Sequence, residues 1–259
     1  MSGSRWVAGV DGCRAGWVVV YGLIRETRRQ DASAAGECVF ETVRCARVES
    51  VREVVESRYR PSVVAVDMPI GLPEKAARGG RACDRAARER LGKGKASSVF
   101  SAPVRSVLAC DDYTAALRAS RKSSVWRLGL SKQTWNLVPK IREVDEVVRE
   151  AMGGRFGEVG IVEAHPEVSF GAMFGRAIGT SKKTADGQRD RMIELKREGV
   201  AVTPEALALV KHGQCEADDV IDAHACAWTA RRVALGVADV LPPEGGETDA
   251  HGIDMRLWV

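Results

Sequence analysis

Residues 62–73 read Ser-Val-Val-Ala-Val-Asp-Met-Pro-Ile-Gly-Leu-Pro, and no other stretch restricts the fold as much. Val63 to Val66 is a continuous apolar run without alternation, the pattern of a strand buried on both faces. The run stops at Asp67, and the Pro-Ile-Gly-Leu-Pro segment that follows forbids a helix directly after it. A strand covered on both faces needs helices on both sides of its sheet, which points to an α/β fold.

The N-terminal segment Val-Ala-Gly-Val-Asp-Gly-Cys-Arg-Ala-Gly-Trp-Val-Val-Val-Tyr, residues 7–21, carries a second apolar run that ends at an aspartate, Asp11. Five residues separate Asp11 from Trp17, too many for a two-residue hairpin, so turn chemistry alone does not explain this Asp. Residues 6–10, 17–24 and 37–46 read as three strands of an antiparallel meander. Val48, Val51 and Val55 fall on one face of a crossover helix, after which residues 63–66 return parallel to the first strand. A further strand, 159–163, ends at Glu163. A helix is expected over about 187–198 with Gly199 as its stop, another from Thr203-Pro204 to Gly213, and a long one through Glu216–Gly236 with Ile221, Ala225 and Trp228 as its core stripe. The end, Ile253–Val259, reads as a short strand or tail.

The 259 residues suit one domain, 1–259, with a core formed by 1–73 and 157–259 and a basic, mainly helical insertion over 74–156. Ile141, Val144 and Val148 share one face of a helix within that insertion. No apolar run approaches the length of a membrane span, and the first residues lack the charged head and apolar stretch of a signal peptide, so no membrane association and a cytoplasmic location are expected. The seven cysteines contain no C-x-x-C pair, which excludes zinc-ribbon and disulfide-framework readings and leaves reduced thiols. The net charge of +4 does not by itself imply nucleic acid, but its distribution is uneven: residues 75–95 hold eight Lys and Arg, and Arg118, Arg121 and Lys122 form a second cluster. Nothing in the sequence sets an oligomeric state; a homodimer is compatible with it.

If the strands ending at Asp11 and Asp67 are parallel neighbours, both carboxylates emerge at the carboxyl edge of the sheet, where open α/β sheets bind ligands. Glu163 ends a third strand, and Asp218, Asp219 and Asp222 open the long late helix, with pairs three and four residues apart on one face. Clustered carboxylates raise one another's pKa unless a cation neutralises them, and hard oxygen ligands suit Mg²⁺ or Mn²⁺. Asp218 and Asp219 also suit the helix dipole as simple N-terminal acids, whereas Asp222 lies a turn deeper. Glu163, His165 and Glu167 alternate, so all three share one side if the strand persists. His165 is then a ligand, a general acid/base or a satisfied core histidine. Lys132, Gln133 and Trp135 combine polar donors with an aromatic that could meet a base or sugar, or anchor the insertion. No Walker A loop, GxSxG elbow or GxGxxG fingerprint is present.

The stretches "GVDGCRAGW", "VDMPIGLP", "ACDRAARERLG", "SSVFSAPVR", "LSKQTWNLVPKIREVD", "VEAHPEVSF", "DAHACAWTARR" and "GIDMRLW" occur in order through nearly the whole chain. Together they resemble the domain of unknown function 429 family, which is grouped with predicted nucleases of ribonuclease H-like fold. The resemblance implies a five-stranded mixed sheet in the order 3-2-1-4-5 with helices on both faces. It implies acids at the first strand, the fourth strand and the last helix, which here are Asp11, Asp67 and Asp222.

These readings converge on a metal-dependent nuclease that hydrolyses phosphodiesters of nucleic acid. Asp11, Asp67 and Asp222 are expected to bind one or two Mg²⁺ or Mn²⁺ ions in a two-metal mechanism that leaves a 5′-phosphate. Glu163 or His165 is expected to assist proton transfer. Arg81, Arg85, Arg88, Arg105 and Lys132 are expected to hold the substrate, through phosphate contacts that give affinity without sequence preference. The competing readings are an ATP-binding phosphotransferase of the same fold superfamily and a catalytically silent nucleic-acid-binding module.

Overall fold

The apolar runs assemble into one mixed sheet. The computed structural model describes residues 3–25, 40–176 and 178–259. Strands β1 (Ser4–Cys13), β2 (Gly16–Arg25) and β3 (Thr42–Val48) form the antiparallel meander, while β4 (Val63–Val66) lies parallel to β1 and β5 (Gly160–Ala164) parallel to β4. Two further strands, β6 (Val240–Leu241) and β7 (Leu257–Trp258), extend it to the order β3-β2-β1-β4-β5-β7-β6. Among the described residues the sheet therefore has seven strands, not the five that the resemblance implied. The added pair comes from the C-terminal tail, whose Leu257 and Trp258 join β5 in parallel and carry β6 outside them. Residues 37–39 of the expected third strand lie outside the described residues.

The first hairpin corrects the sequence reading. β1 continues through Asp11 to Cys13, which pairs with Gly16, so Arg14 and Ala15 make a two-residue turn after all. Gly16 adopts φ 134°, a conformation that an L side chain rarely takes and that closes this turn. Asp11 is thus inside the strand, opposite Val18, rather than in the loop.

The eight α-helices of the described residues are α1 (Val51–Val55), α2 (Ala82–Leu91), α3 (Tyr113–Lys122), α4 (Lys132–Met152), α5 (Pro166–Phe174), α6 (Ala185–Arg197), α7 (Pro204–Lys211) and α8 (Ala217–Ala234). Helix α1 is shorter than its valine spacing suggested. Val48 belongs to β3, and Ser50 and Glu53 form a capping box that starts the helix at Val51. Helices α6 and α7 begin at Thr184 and Thr203, whose hydroxyls accept backbone N–H groups, and Pro204 occupies the first turn where its missing N–H costs nothing. Short 3₁₀ turns at 96–98 and 105–109 accompany α2, α3 and α4 between β4 and β5.

Strand alternation divides the core between the two faces of the sheet. Val7, Cys13, Val18, Val20, Val63, Ala65 and Ala164 pack beneath α8, α5 and α2. Ala8, Val10, Trp17, Val19, Val64 and Val66 pack against α1 and against Ile141, Val144 and Val148 of α4. Helix α8 does not carry a narrow stripe: every residue from Val220 to Arg231 is buried, because α5, α6 and α7 cover the side that the sheet does not. A helix surrounded in this way is built from small residues, and Ala223 and Ala227 rest directly on β1.

A Cβ placed on Gly9 would lie 1.9 Å from the Ala227 nitrogen and 2.4 Å from the Ala223 oxygen, both backbone atoms of α8. Gly9→Ala is accordingly expected to cost about 3 kcal/mol, since the helix must lift off the strand. Chemical denaturation checks this, and a midpoint equal to the wild type's would show that α8 does not seat there.

Candidate active site

Register brings two of the expected acids together. Val10 pairs with Val66, and the Asp67 N–H donates to the Val10 carbonyl at 2.9 Å. Asp11 and Asp67 are the next residues on the two parallel strands, so their side chains leave on the same face. That face is the one on which Gly9 meets α8, and α8 delivers Asp222 to it. Asp11 and Asp222 are buried. Burial raises the pKa of Asp11 well above the usual carboxylate range, and the charges of Asp67, Asp222 and Asp219 raise it further. Asp222 is pushed up to about 6, first by burial and then by Asp67 and Glu167, against the opposing pull of Lys182. Asp219 caps α8 by accepting the Glu216 N–H at 2.9 Å, and it stands at the edge of the cluster rather than within it.

Lys182, on the segment between α5 and α6, donates from Nζ to Asp222 Oδ2. Burial works against its charge, but Asp222, Asp67 and Asp11 outweigh that and raise its pKa. Its ammonium already does part of what a metal cation would do. Lys140 of α4 approaches the same hairpin from the other side. It donates to the Gly16 carbonyl and lies 4.3 Å from the centre of the Trp17 ring. Sequence reasoning missed both lysines. Neither has a spacing signal; Lys182 is one of two adjacent lysines in a Gly/Ser/Thr-rich segment, and only the fold says which carboxylate it meets.

Glu163, His165 and Glu167 do not share one side. β5 ends at Ala164, His165 is the N-cap of α5, and Pro166 starts the helix, so the alternation stops. Glu163 pairs in register with Val66, one residue short of Asp67, and therefore points to the opposite face from the aspartate cluster. There its carboxylate accepts the Ile70 N–H at 2.7 Å and both terminal nitrogens of Arg81, each at 2.7 Å. His165 Nε2 is 3.3 Å from the Ser98 carbonyl and Nδ1 is buried without a partner. Glu167 binds the fully buried Arg191 at 2.8 Å.

The five basic residues expected to face substrate also separate. Arg81 is buried against Glu163 and Asp84 and donates to the Ile70 and Gly71 carbonyls, so it clamps the Pro69–Pro73 segment instead of meeting solvent. Arg105 joins Asp145 at 3.0 Å and Asp249, tying the C-terminal region to α4. Arg88 is spent on the Val99 and Gly79 carbonyls and on Ser101. Arg85 and Lys132 remain exposed, with the Lys132 ammonium 3.8 Å from the centre of the Tyr113 ring.

Among the described residues, Cys83, Asp84 and Glu163 bring one potential ligand atom each within 4.8 Å of one another, a spacing that could hold a metal ion. The Arg81 guanidinium already lies against both of those carboxylates, so their charge is compensated. Among the described residues no other group of acids, histidines and cysteines has that spacing, the Asp11–Asp67–Asp222 cluster included; that cluster sets three acids against the single ammonium of Lys182. The six described cysteines are free; Cys226, beside the cluster, has its thiol pushed up by burial and fills space as a neutral group.

The shift of Asp222 makes a pH-dependent prediction. An unfolded Asp titrates near 3.9 and the folded one near 6, so between these values the folded state binds the extra proton. Stability from this group is therefore lost as pH rises through that window, and the loss is complete above it. His224, held down to about 4 by burial, pulls the other way over the same range. Comparing wild type with Asp222→Asn in chelator cancels that histidine. The variant's relative stability is expected to rise between pH 4 and 6 by on the order of 2 kcal/mol and then level off. A difference independent of pH would mean that Asp222 titrates normally.

A family profile described as Protein of unknown function (DUF429) matches residues 9–246. No curated protein and no solved structure matches the chain.

Proposed function

We propose that this chain, which belongs to the DUF429 family, is a metal-dependent phosphodiesterase of ribonuclease H-like type that acts on nucleic acid. The observation that carries the reading is the carboxylate set at one sheet edge, buried Asp11 and Asp222 beside half-buried Asp67, with Asp11 raised first by burial and then by its acidic neighbours. The order β3-β2-β1-β4-β5 of the first five strands, with β2 antiparallel, supports the fold assignment.

Asp11, Asp67 and Asp222 would hold one or two Mg²⁺ or Mn²⁺ ions. Such ions, when bound, neutralise phosphate charge and make water a nucleophile near neutral pH. The protein's own part is positional. Adjacent parallel strands fix Asp11 and Asp67 side by side, and the close seating of α8 on Gly9 fixes Asp222 against them. Lys182, whose side chain is about one-third exposed (35%), neutralises Asp222 in the metal-free protein and can yield that carboxylate without disturbing the core. Glu163 is withdrawn from the chemistry by Arg81.

The first hairpin turn, Asp11-Gly-Cys-Arg-Ala-Gly-Trp17, carries no Ser or Thr hydroxyl to meet a nucleotide's phosphate tail, which disfavours the phosphotransferase reading. Lys182 is the observation that favours a silent module, because a cation already sits on Asp222. Incubation with single- and double-stranded DNA and RNA oligonucleotides separates the two. Cleavage in Mg²⁺ or Mn²⁺ that leaves 5′-phosphates and stops in chelator is expected. Intact substrates, with no thermal shift at millimolar Mn²⁺ in the presence of oligonucleotide, would leave only the silent module.

A further inference from the structure

The geometry points to the turn between α3 and α4 as a docking surface for single-stranded nucleic acid, with Trp126 as the stacking platform for a base. Residues 118–132 contain Arg118, Arg121, Lys122, Arg127 and Lys132 and no acid. Among the described residues, no carboxylate pairs with Arg118, Arg121, Lys122, Arg127 or the nearby Arg78. At the tip, Val125 is 89% and Trp126 54% exposed, an unusual position for a large aromatic.

The tip is a built turn. The Trp126 N–H donates to Ser124 Oγ at 3.3 Å and the Arg127 N–H to the Ser124 carbonyl at 2.9 Å. Arg127 takes φ 51°, which costs a non-glycine residue energy and presents Trp126 outward. The Arg78 guanidinium stacks 5.6 Å from the Trp126 ring centre. Arg78 also lines an adjoining cavity of about 470 Å³ together with Gly79, Ser101, Leu128, Gly129 and Ser131. A volume of that size has room for a nucleoside. An exposed ring flanked by unpaired cations matches what a single strand offers: a π-face on each base and a negative charge on each phosphate. A membrane surface would call for more apolar residues than one Trp and one Val.

The inference rests on the nuclease reading for its substrate class, but its test does not need metal. Fluorescence anisotropy with labelled single-stranded dT and U oligomers of about 20 nucleotides, in chelator, measures binding alone. Trp126→Ala is expected to weaken binding about 10-fold or more, and Trp126→Phe to retain most of it. Arg121→Gln with Lys122→Gln is expected to reduce the slope of log K against log salt by about 1.4. All three sites are exposed, so thermal stability is expected to hold. No binding by the wild type, equal binding by Trp126→Ala, or binding to anionic phosphatidylserine vesicles but not to oligomers would overturn the proposal. Loss of oligomer binding in Trp126→Ala alongside intact Mn²⁺ binding supports the surface whatever the chemistry. Oligomer binding that survives a failed Mn²⁺ titration would sink the nuclease reading and leave this one standing.

Discussion

Arg81→Met is expected to cost the fold about 3–5 kcal/mol, because it strands two buried carboxylates at once. Arg81 is 3% exposed and bonds Glu163 Oε1 at 2.7 Å and Asp84 Oδ1 at 2.7 Å. Its guanidinium also donates to the Ile70 and Gly71 carbonyls, so one side chain joins β5, the Pro69–Pro73 segment and the start of α2. A guanidinium stays charged in a protein, so neither carboxylate has lost its partner to titration. Removing it leaves negative charge with no water to solvate it. The loss is a large share of the 5–15 kcal/mol by which domains are usually stable. Glu163→Gln added to Arg81→Met is expected to recover part of the loss, since it removes one stranded charge. Chemical denaturation of both variants decides the matter. A single variant as stable as the wild type would show that Arg81 faces solvent after all.

Asp11→Asn is expected to separate stability from function. In the metal-free protein the buried Asp11 charge is opposed by burial and by three neighbouring acids, so the neutral amide should raise the unfolding temperature in chelator. The same change removes a charged ligand from the proposed metal site. Mn²⁺ binding by calorimetry is expected to fall below detection, and oligonucleotide cleavage to drop by about 10³-fold or more, the scale on which preorganised charge acts in catalysis. A gain in stability with a loss of Mn²⁺ binding is the signature of a site kept under electrostatic strain for its ligand. A destabilised variant that still binds Mn²⁺ would place Asp11 in a structural role and move the metal elsewhere.

The lysines and arginines show how little a charge count says about which residues meet a ligand. The basic stretch 75–95 looks in sequence like one solvated face. In the structure Arg81 and Arg88 turn inward to carbonyls of the loops between β4 and α3, backbone acceptors that must be satisfied, and Arg105, outside that stretch, turns to the carboxylates of Asp145 and Asp249. Lys182, which reaches Asp222, lies more than 80 residues away on a segment with no distinguishing pattern.

Several features were determined by the sequence alone. The unbroken Val63–Val66 run required a doubly covered sheet; the valines of the first hairpin required an antiparallel start; the placement of Asp11 and Asp67 at the ends of apolar runs put carboxylates at a sheet edge. Thr203 and Pro204 set a helix start, since capping is local chemistry. What only the tertiary structure decided was facing and partnership. Glu163 ends its strand as Asp67 does, yet the register of β5 on β4 is offset by one residue between them, and in a strand one residue is the difference between the two faces of the sheet. Glu163 thereby became the anchor of Arg81, while Asp11, Asp67 and Asp222 met beneath α8. Register and long-range packing are non-local, and no spacing within a single segment encodes them.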